Sequence, residues 1–298
     1  MKIFITGASG FIGSAIVKDL LEHNYEVVGL ACSESSAKKI KALGAEVHFG
    51  NTTDLESLKG GIESADGIIH TAFNHDFTRF HESCKEEKAT ILAMGKLFKG
   101  TNRPIVITAA AGAIATGSWI TEDHRGTNPN IPRIISETTA DELVAEGLNI
   151  SVVRLPPSVH GVGDRHGFIP TLVNLAKRKG KFAYIENGMN SWAAVNRLDV
   201  PQVYRLAMEK NSTSGKRFHA VAESQLYLKD ITSLLAKNIK LPVVSISKEE
   251  APGYFEGFIH FAQLNIPIGS ELTQKELGWK PKHTTLFEDI ENMVYFLE

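Results

Sequence analysis

Short apolar runs rich in β-branched residues alternate with longer stretches of helical period through the first half of the chain. KIFIT, EVVGL, EVHF, DGIIHTA, PIVIT and ISVVRL read as six strands, dense in Ile, Val and Phe and separated by polar or Gly-containing segments. Between the first two, Ile12, Ile16 and Leu20 recur at helical spacing while Lys18, Asp19 and Glu22 take the opposite face, which predicts a helix with one buried stripe. SAKKIKALG, DLESLKGGI, residues 80–98 and SETTADELVAEG supply four more, the last stopping at Gly147. Strands joined through helices run parallel, so the pattern predicts an α/β fold built on a doubly wound parallel sheet.

Past RLPPSVHGVGD the alternation fades and Pro, Gly and aromatic residues become frequent. The expected division is a sheet domain over residues 1–160 and a smaller C-terminal substrate domain over 161–298, with a segment near 190–215 returning to the sheet core. A chain of 298 residues suits either this arrangement or one large unit. Lys and Arg total 32 against 34 Asp and Glu without a block of like charge, which argues against a nucleic-acid surface and for a small neutral or polar partner. No apolar run is long enough to span a bilayer, and MKIFI runs straight into glycines without a cleavage pattern. Cys32 and Cys84 lie outside any CxxC spacing, so a reducing, cytoplasmic setting is expected, with neither a disulfide framework nor a thiolate zinc site.

The chemistry begins in TGASGFIG, residues 6–13. A strand, a glycine-rich turn and a helix start bring backbone N–H groups and the positive end of a helix dipole to one spot, which suits a pyrophosphate. Gly7 permits the sharp turn, Gly10 lets the anion reach the main chain, and Gly13 lets the helix pack close to the strand. Ser9, Phe11 and Ile12 share that turn and belong to the expected binding set. Glycines required for packing alone are the alternative.

With DGIIHTA, RLPPSVHGVGD, RLDV at 197–200 and ELGWKP, this turn resembles the extended short-chain dehydrogenase/reductase family, in its atypical NAD(P)-dependent epimerase/dehydratase-like group with HTAF after strand four. The resemblance implies a Rossmann domain with bound NAD or NADP, and it does not fix the reaction. It places Thr71, Ala72, Phe73, Pro156 and Val159 along the cofactor, Asn51 and Thr52 at the adenine, and His160 beside nicotinamide and substrate. The family's long fourth and fifth helices pair into a dimer, so a homodimer is an expectation. His160, Asp164 and His166 show no recognised ligand spacing, and no metal is expected.

At the end of the second strand an NAD enzyme carries an Asp or Glu for the ribose diol, whereas this chain has Ala31 and Cys32. Ser33, Ser35 and Ser36 offer hydroxyls, and Lys38 and Lys39 offer charge, for a 2′-phosphate. NADP(H) is therefore expected over NAD(H), unless the serines serve only to cap the next helix.

The family's general acid is a Tyr-x-x-x-Lys tyrosine assisted by a Ser or Thr after strand five. Alignment puts Arg133 and Glu137 at the Tyr and Lys positions, and no Tyr lies between Tyr25 and Tyr184. VITAAAG leaves Thr108 as the nearby hydroxyl. Arg133 stays protonated but can polarise a carbonyl or clamp a carboxylate, and Glu137 can shuttle a proton if burial raises its pKa. A solvent-facing Arg and Glu one turn apart is the alternative. His75, next to Asp76 at the carboxyl edge where open α/β sheets bind ligands, is a further proton source or else an ordinary loop residue. In the second domain Trp192 is expected to face substrate and Arg197 to contact a polar group or cofactor phosphate. Tyr254, Phe255, Phe258 and Phe261 either close the cleft or form core.

The leading expectation is an NADPH-dependent reductase of a small aldehyde or ketone. Alternatives are a non-catalytic NADP(H)-binding sensor or scaffold, and a nucleotide-sugar epimerase or dehydratase.

Overall fold

The computed structural model describes residues 1–210, 213–292 and 295, and of Phe77 only the backbone. The first half alternates as its hydrophobic pattern requires: β1 (Lys2–Thr6), α1 (Phe11–Glu22), β2 (Glu26–Ala31), α2 (Glu34–Ala42), β3 (Glu46–Phe49), α3 (Lys59–Glu63), β4 (Gly67–His70), α4 (Phe80–Phe98), β5 (Ile105–Ala110), α5 (Ile135–Ala145) and β6 (Ile150–Leu155). Then come β7 (Ser158–His160), α6 (Phe168–Lys179), β8 (Phe182–Ile185), β9 (Ser191–Asn196), α7 (Val200–Glu209), β10 (Arg217–His219), β11 (Glu223–Tyr227), α8 (Leu228–Ile239) and β12 (Val243–Ile246). Four short helices follow, α9 (Ala251–Phe255), α10 (Ile259–Ala262), α11 (Glu271–Leu277) and α12 (Leu286–Glu291).

Seven strands form one parallel sheet in the order β10-β6-β5-β4-β1-β2-β3. The six strands expected from sequence are all in it, and the seventh, Arg217–His219, is an addition. Three residues with a charge at one end carry no periodic signal, so only pairing with β6 reveals them. DGIIHTA is shorter than expected, because the chain leaves the sheet after His70 and sends Thr71 and Ala72 back over the glycine turn.

Both faces of the sheet are covered. Ile3, Ile5 and Val106 pack under Ile16, Val17 and Leu20 of α1 and Val203, Tyr204 and Ala207 of α7. Phe4, Ile68 and Ile107 pack under Ile91, Met94 and Phe98 of α4 and Leu143 of α5. Each such fully buried aliphatic or aromatic side chain stabilises the fold by about 1.5–3 kcal/mol. A separate core joins α6, α8 and α12 to Trp192 and Phe255, alongside a three-stranded sheet β11-β9-β7 and a parallel pair β12-β8. The strand order reverses between β1 and β4, and a crevice at that switch point is where doubly wound sheets bind ligands.

Candidate functional site

β1 ends at the buried Thr6 and the chain turns at once. Gly7 adopts φ +72°, and a Cβ there would lie 2.6 Å from Thr71 Oγ1. A Cβ on Gly13 would overlap the Gly7 carbonyl, so the second half of the turn is closed to any larger residue. Gly10 differs: an added Cβ meets only the Gly7 oxygen, at 3.1 Å, and among the described residues nothing else lies in its way. Gly10 is the N-cap of α1 and provides no side-chain cap, which leaves the first-turn N–H groups open to an external acceptor.

Arg197 stands over this helix start. Its guanidinium lies 4.4 Å above the Phe11 ring, with Nη2 donating to Ser14 Oγ at 3.1 Å and Nη1 to the Val162 carbonyl at 3.1 Å. Its Nε is buried without a hydrogen-bond partner among the described residues. Open N–H groups, a helix dipole, room that only glycine leaves and a cation with a spare donor fit the pyrophosphate of a dinucleotide. Gly10→Asp puts a carboxylate into that space, and we expect about a 30-fold weaker Kd for the reduced cofactor in a fluorescence titration, the equivalent of ~2 kcal/mol at a helix terminus. Unchanged affinity would place the cofactor elsewhere.

At the end of β2 the serines are occupied. Ser33 caps α2, accepting from the Ser36 N–H at 3.2 Å, and Ser36 Oγ accepts in return from the Ser33 N–H at 3.0 Å. Ser36 Oγ donates to the Ser33 carbonyl at 2.8 Å, so the 3.1 Å contact between the hydroxyls takes the Ser33 proton. Both protons stay within the cap, the alternative left open by sequence. Asn51 Oδ1 likewise accepts from the Thr53 N–H at 3.1 Å, and the Thr52 carbonyl accepts from the Thr90 hydroxyl at 3.0 Å. Pro156 is buried and Val159 half-buried beside the sheet core.

A buried polar network lies at the carboxyl ends of β4 and β5. His70 Nδ1 is 2.7 Å from Thr6 Oγ1, which also accepts from the Ala72 N–H at 3.3 Å. His70 Nε2 lies 4.0 Å from Glu87 Oε1 and has no hydrogen bond among the described residues. Burial first, and then the Arg133 guanidinium, push the His70 pKa down to about 3, so the ring is neutral. Glu87 in turn pairs with Arg133 Nη1 and accepts from Ser136 Oγ at 2.8 Å. Burial raises its pKa against the opposing pull of Arg133 and Ser136.

Arg133 therefore faces inward, in a 3₁₀ turn (Pro132–Ile134) just before α5, with its guanidinium 4.1 Å above the Phe73 ring. The solvent-facing alternative is overturned, since both Arg133 and Glu137 are buried. Glu137 is also not available as a proton shuttle. Arg154 Nε and Nη2 donate to its two oxygens at 2.8 and 2.6 Å, and Arg217 adds an ion pair at 3.5 Å. Two guanidiniums hold this carboxylate in a structural cluster.

Thr108 is placed at the site but its proton is committed. Its hydroxyl donates to the His70 carbonyl at 2.8 Å, so the 2.6 Å contact with Tyr204 Oη is one in which Tyr204 donates. Tyr204 is fully buried, and burial raises its pKa despite Thr108 and Arg133, so it is not a substitute acid. His75 is exposed, edge-on to Phe73 at a centroid distance of 5.2 Å. Crowding by neighbouring atoms, then the Arg133 charge, lower its pKa. Asp76 accepts from the Thr78 N–H and hydroxyl at 3.0 and 2.6 Å.

Two further expectations are corrected. Trp192 is fully buried, donating to the Phe261 carbonyl at 3.1 Å and packing on Phe168 and Phe258, so it is core and not a substrate wall. His160 is fully buried, with Nδ1 2.6 Å from Asp289 Oδ2 and Nε2 3.5 Å from Glu223 Oε2, within ion-pair range but outside hydrogen-bond geometry. Burial opposes its charge, but the two carboxylates outweigh that and raise its pKa. It cannot touch a substrate in the cleft. Among the described residues, no group of three His, Cys, Asp or Glu could hold a metal ion and no helix is long and apolar enough to cross a membrane.

Glu87 and Tyr204 were missed from sequence. The signal for Glu87 is its place on the apolar stripe Cys84, Ile91, Met94 and Phe98, where a carboxylate needs a buried partner. Tyr204 bonds across 96 residues and leaves no local signature.

Residues 3–220 match the NAD dependent epimerase/dehydratase family. An uncharacterized protein of Schizosaccharomyces pombe is 45% identical over 297 residues, covering 99% of this chain and 100% of its own length. A ketoreductase of Stigmatella aurantiaca that acts on a farnesyl dihydroquinoline oxide is 24% identical, over 84% of this chain and 78% of its own. A dTDP-glucose 4,6-dehydratase of Streptomyces venezuelae, solved with NAD and TYD bound, superposes with a TM-score of 0.77 at 18% identity, over 99% of this chain and 96% of that one. The match over most of the chain joins the glycine cradle and the seven-stranded sheet to one conclusion: this chain belongs to the NAD dependent epimerase/dehydratase family and is an NAD(P)-dependent enzyme of the oxidoreductase or epimerase type.

Proposed function

We propose that the chain is an NADPH-dependent reductase of small aldehydes or ketones. The observation that carries this reading is Arg133, held by buried Glu87 over Phe73 beside the ends of β4 and β5, where the resembled family places its tyrosine. A fixed cation there stabilises the negative charge that grows on a carbonyl oxygen, in a setting that needs no reorganisation. Arg133 has no proton to give, so His75, whose pKa burial and then Arg133 lower, relays one from solvent. Gly7, Gly10, Gly13 and Arg197 would hold the dinucleotide, with Thr71, Ala72 and Phe73 alongside. The reduced nicotinamide supplies the hydride when bound.

NADPH is favoured over NADH by the absence of a carboxylate at Ala31 and Cys32, with Lys38 and Lys39 exposed on α2. The Ser33–Ser36 cap adds nothing to that preference. The ketoreductase relative supports carbonyl reduction, and the NAD in the Streptomyces dehydratase makes titration with both cofactors essential. A second reading, cofactor binding without turnover, is favoured by the committed Thr108 proton.

One cuvette separates the two. NADPH and NADH are titrated by fluorescence, small aldehydes and ketones are added, and absorbance of the reduced nicotinamide is followed. Reduction predicts substrate-dependent loss of NADPH, and His75→Asn lowers kcat by about 100-fold with KM held, the lower end of what a positioned acid contributes. Tight binding without turnover across the panel supports the sensor instead.

A further inference from the structure

Arg133 is gripped from one side. Glu87 and Ser136 engage Nη1, while Nε and Nη2 have no partner among the described residues, and the side chain keeps 10% of its surface accessible. The Phe73 ring lies beneath the guanidinium, its centroid 4.1 Å from Cζ, just past the carboxyl end of β4. A planar edge carrying two N–H donors matches two oxygens on adjacent atoms better than one.

Charge decides which pair of oxygens fits. Glu87 is only 5% exposed and already compensates Arg133, and His70 beside it is neutral. A 2-oxo acid would bring a third charge into a pair that is already balanced, at the cost of its own desolvation. An uncharged ligand accepts the same two hydrogen bonds without that penalty.

We propose that the site selects ketones whose neighbouring carbon bears a second, uncharged carbonyl oxygen, 2-oxo esters above all, with Arg133 holding both oxygens and Glu87 rejecting the corresponding 2-oxo acids. This rests on the reductase reading. The keto carbon takes a hydride and its oxygen a proton, giving the 2-hydroxy ester, and one NADPH is oxidised to NADP per turnover.

Three probes test it: ethyl 2-oxopropanoate, hexan-2-one, which matches its chain length but lacks the second carbonyl, and 2-oxopropanoate, which carries the charge in place of the ethyl ester. The ester is expected to exceed both in kcat/KM by at least ~10-fold, the value of one extra hydrogen bond to a charged donor. In Glu87→Gln the pair loses its anion, and 2-oxopropanoate should gain at least ~10-fold relative to the ester. A merely structural Glu87 would lower all three together. Equal kcat/KM for ester and hexan-2-one overturns the inference and leaves the reductase standing, and these wild-type ratios decide even where the variant fails to fold. If none turns over, calorimetric titration of the three into NADP-saturated protein decides: tightest binding of the ester upholds the selectivity while the reductase reading falls, and equal or absent binding overturns both.

Discussion

Glu137→Ala is expected to destabilise the protein by about 3–5 kcal/mol, the usual consequence of removing one partner from a buried ion pair. Arg154 is fully buried and Arg217 nearly so. With Glu137 gone, Arg154 retains the His124 carbonyl at 2.7 Å and the neutral ring of His219 at 3.1 Å, but no anion. Arg217 keeps Asp141, at 2.7 Å on the exposed side. Arg125 adds to the crowding: burial and then the charges of Arg217 and Arg154 lower its pKa. Three guanidiniums would share a region that has lost its buried carboxylate. Glu137→Gln keeps the shape and drops the charge, so it should fall between wild type and alanine. Urea unfolding reads both, as a lower midpoint at unchanged slope. A variant with wild-type stability and no turnover would restore Glu137 to the catalytic set.

The same residue shows where sequence reasoning runs out. Gly7, Gly10 and Gly13 were legible because a positive φ, an uncapped helix start and a strand-to-helix contact are satisfied within eight residues of chain. The six strands were legible for a like reason, each carrying its own periodicity. Arg133 and Glu137 were found by position but their environment stayed open, because what buries them comes from α4, β6 and β10. Their partners Glu87, Arg154 and Arg217 sit 46, 17 and 80 residues away. Trp192 shows the converse: an aromatic residue near RLDV looks like a substrate contact until Phe168 and Phe258 pack on it and the Phe261 carbonyl takes its N–H. A side chain's type limits the chemistry it can do, and the tertiary partners decide which part of it is left to use.

Acid should unfold this protein earlier than its carboxylates alone would require, losing up to about 2.7 kcal/mol per pH unit below pH ~6.5. Two buried histidines set that slope. Burial and then Arg133 push His70 down to about 3, and burial, with Arg154 assisting and the Gly269 carbonyl opposing, pushes His219 down to about 3. The His219 tautomer explains why: Nδ1–H donates to the Gly269 carbonyl at 2.7 Å, so Nε2 must accept from Arg154, and a proton there would face a guanidinium. Both rings are neutral when folded but take up a proton near pH 6.5 when unfolded, so the unfolded state binds two more protons as pH falls below that value. Stability is full above pH ~6.5 and is lost progressively towards the folded values. His160 does not add to this, because its pKa is raised: its contribution is present below pH ~6.5 and is lost as pH rises through the folded value. Glu87 and Asp164, raised chiefly by burial, take up protons in the folded state first and offset part of the fall at the acid end. Urea midpoints at pH 7 and pH 5 measure the slope, and His70→Asn or His219→Asn should each remove about half of it. If neither variant changes it, the acid sensitivity belongs to the carboxylates, and the neutral rings that balance the Glu87–Arg133 pair and seat Arg154 lose their thermodynamic support.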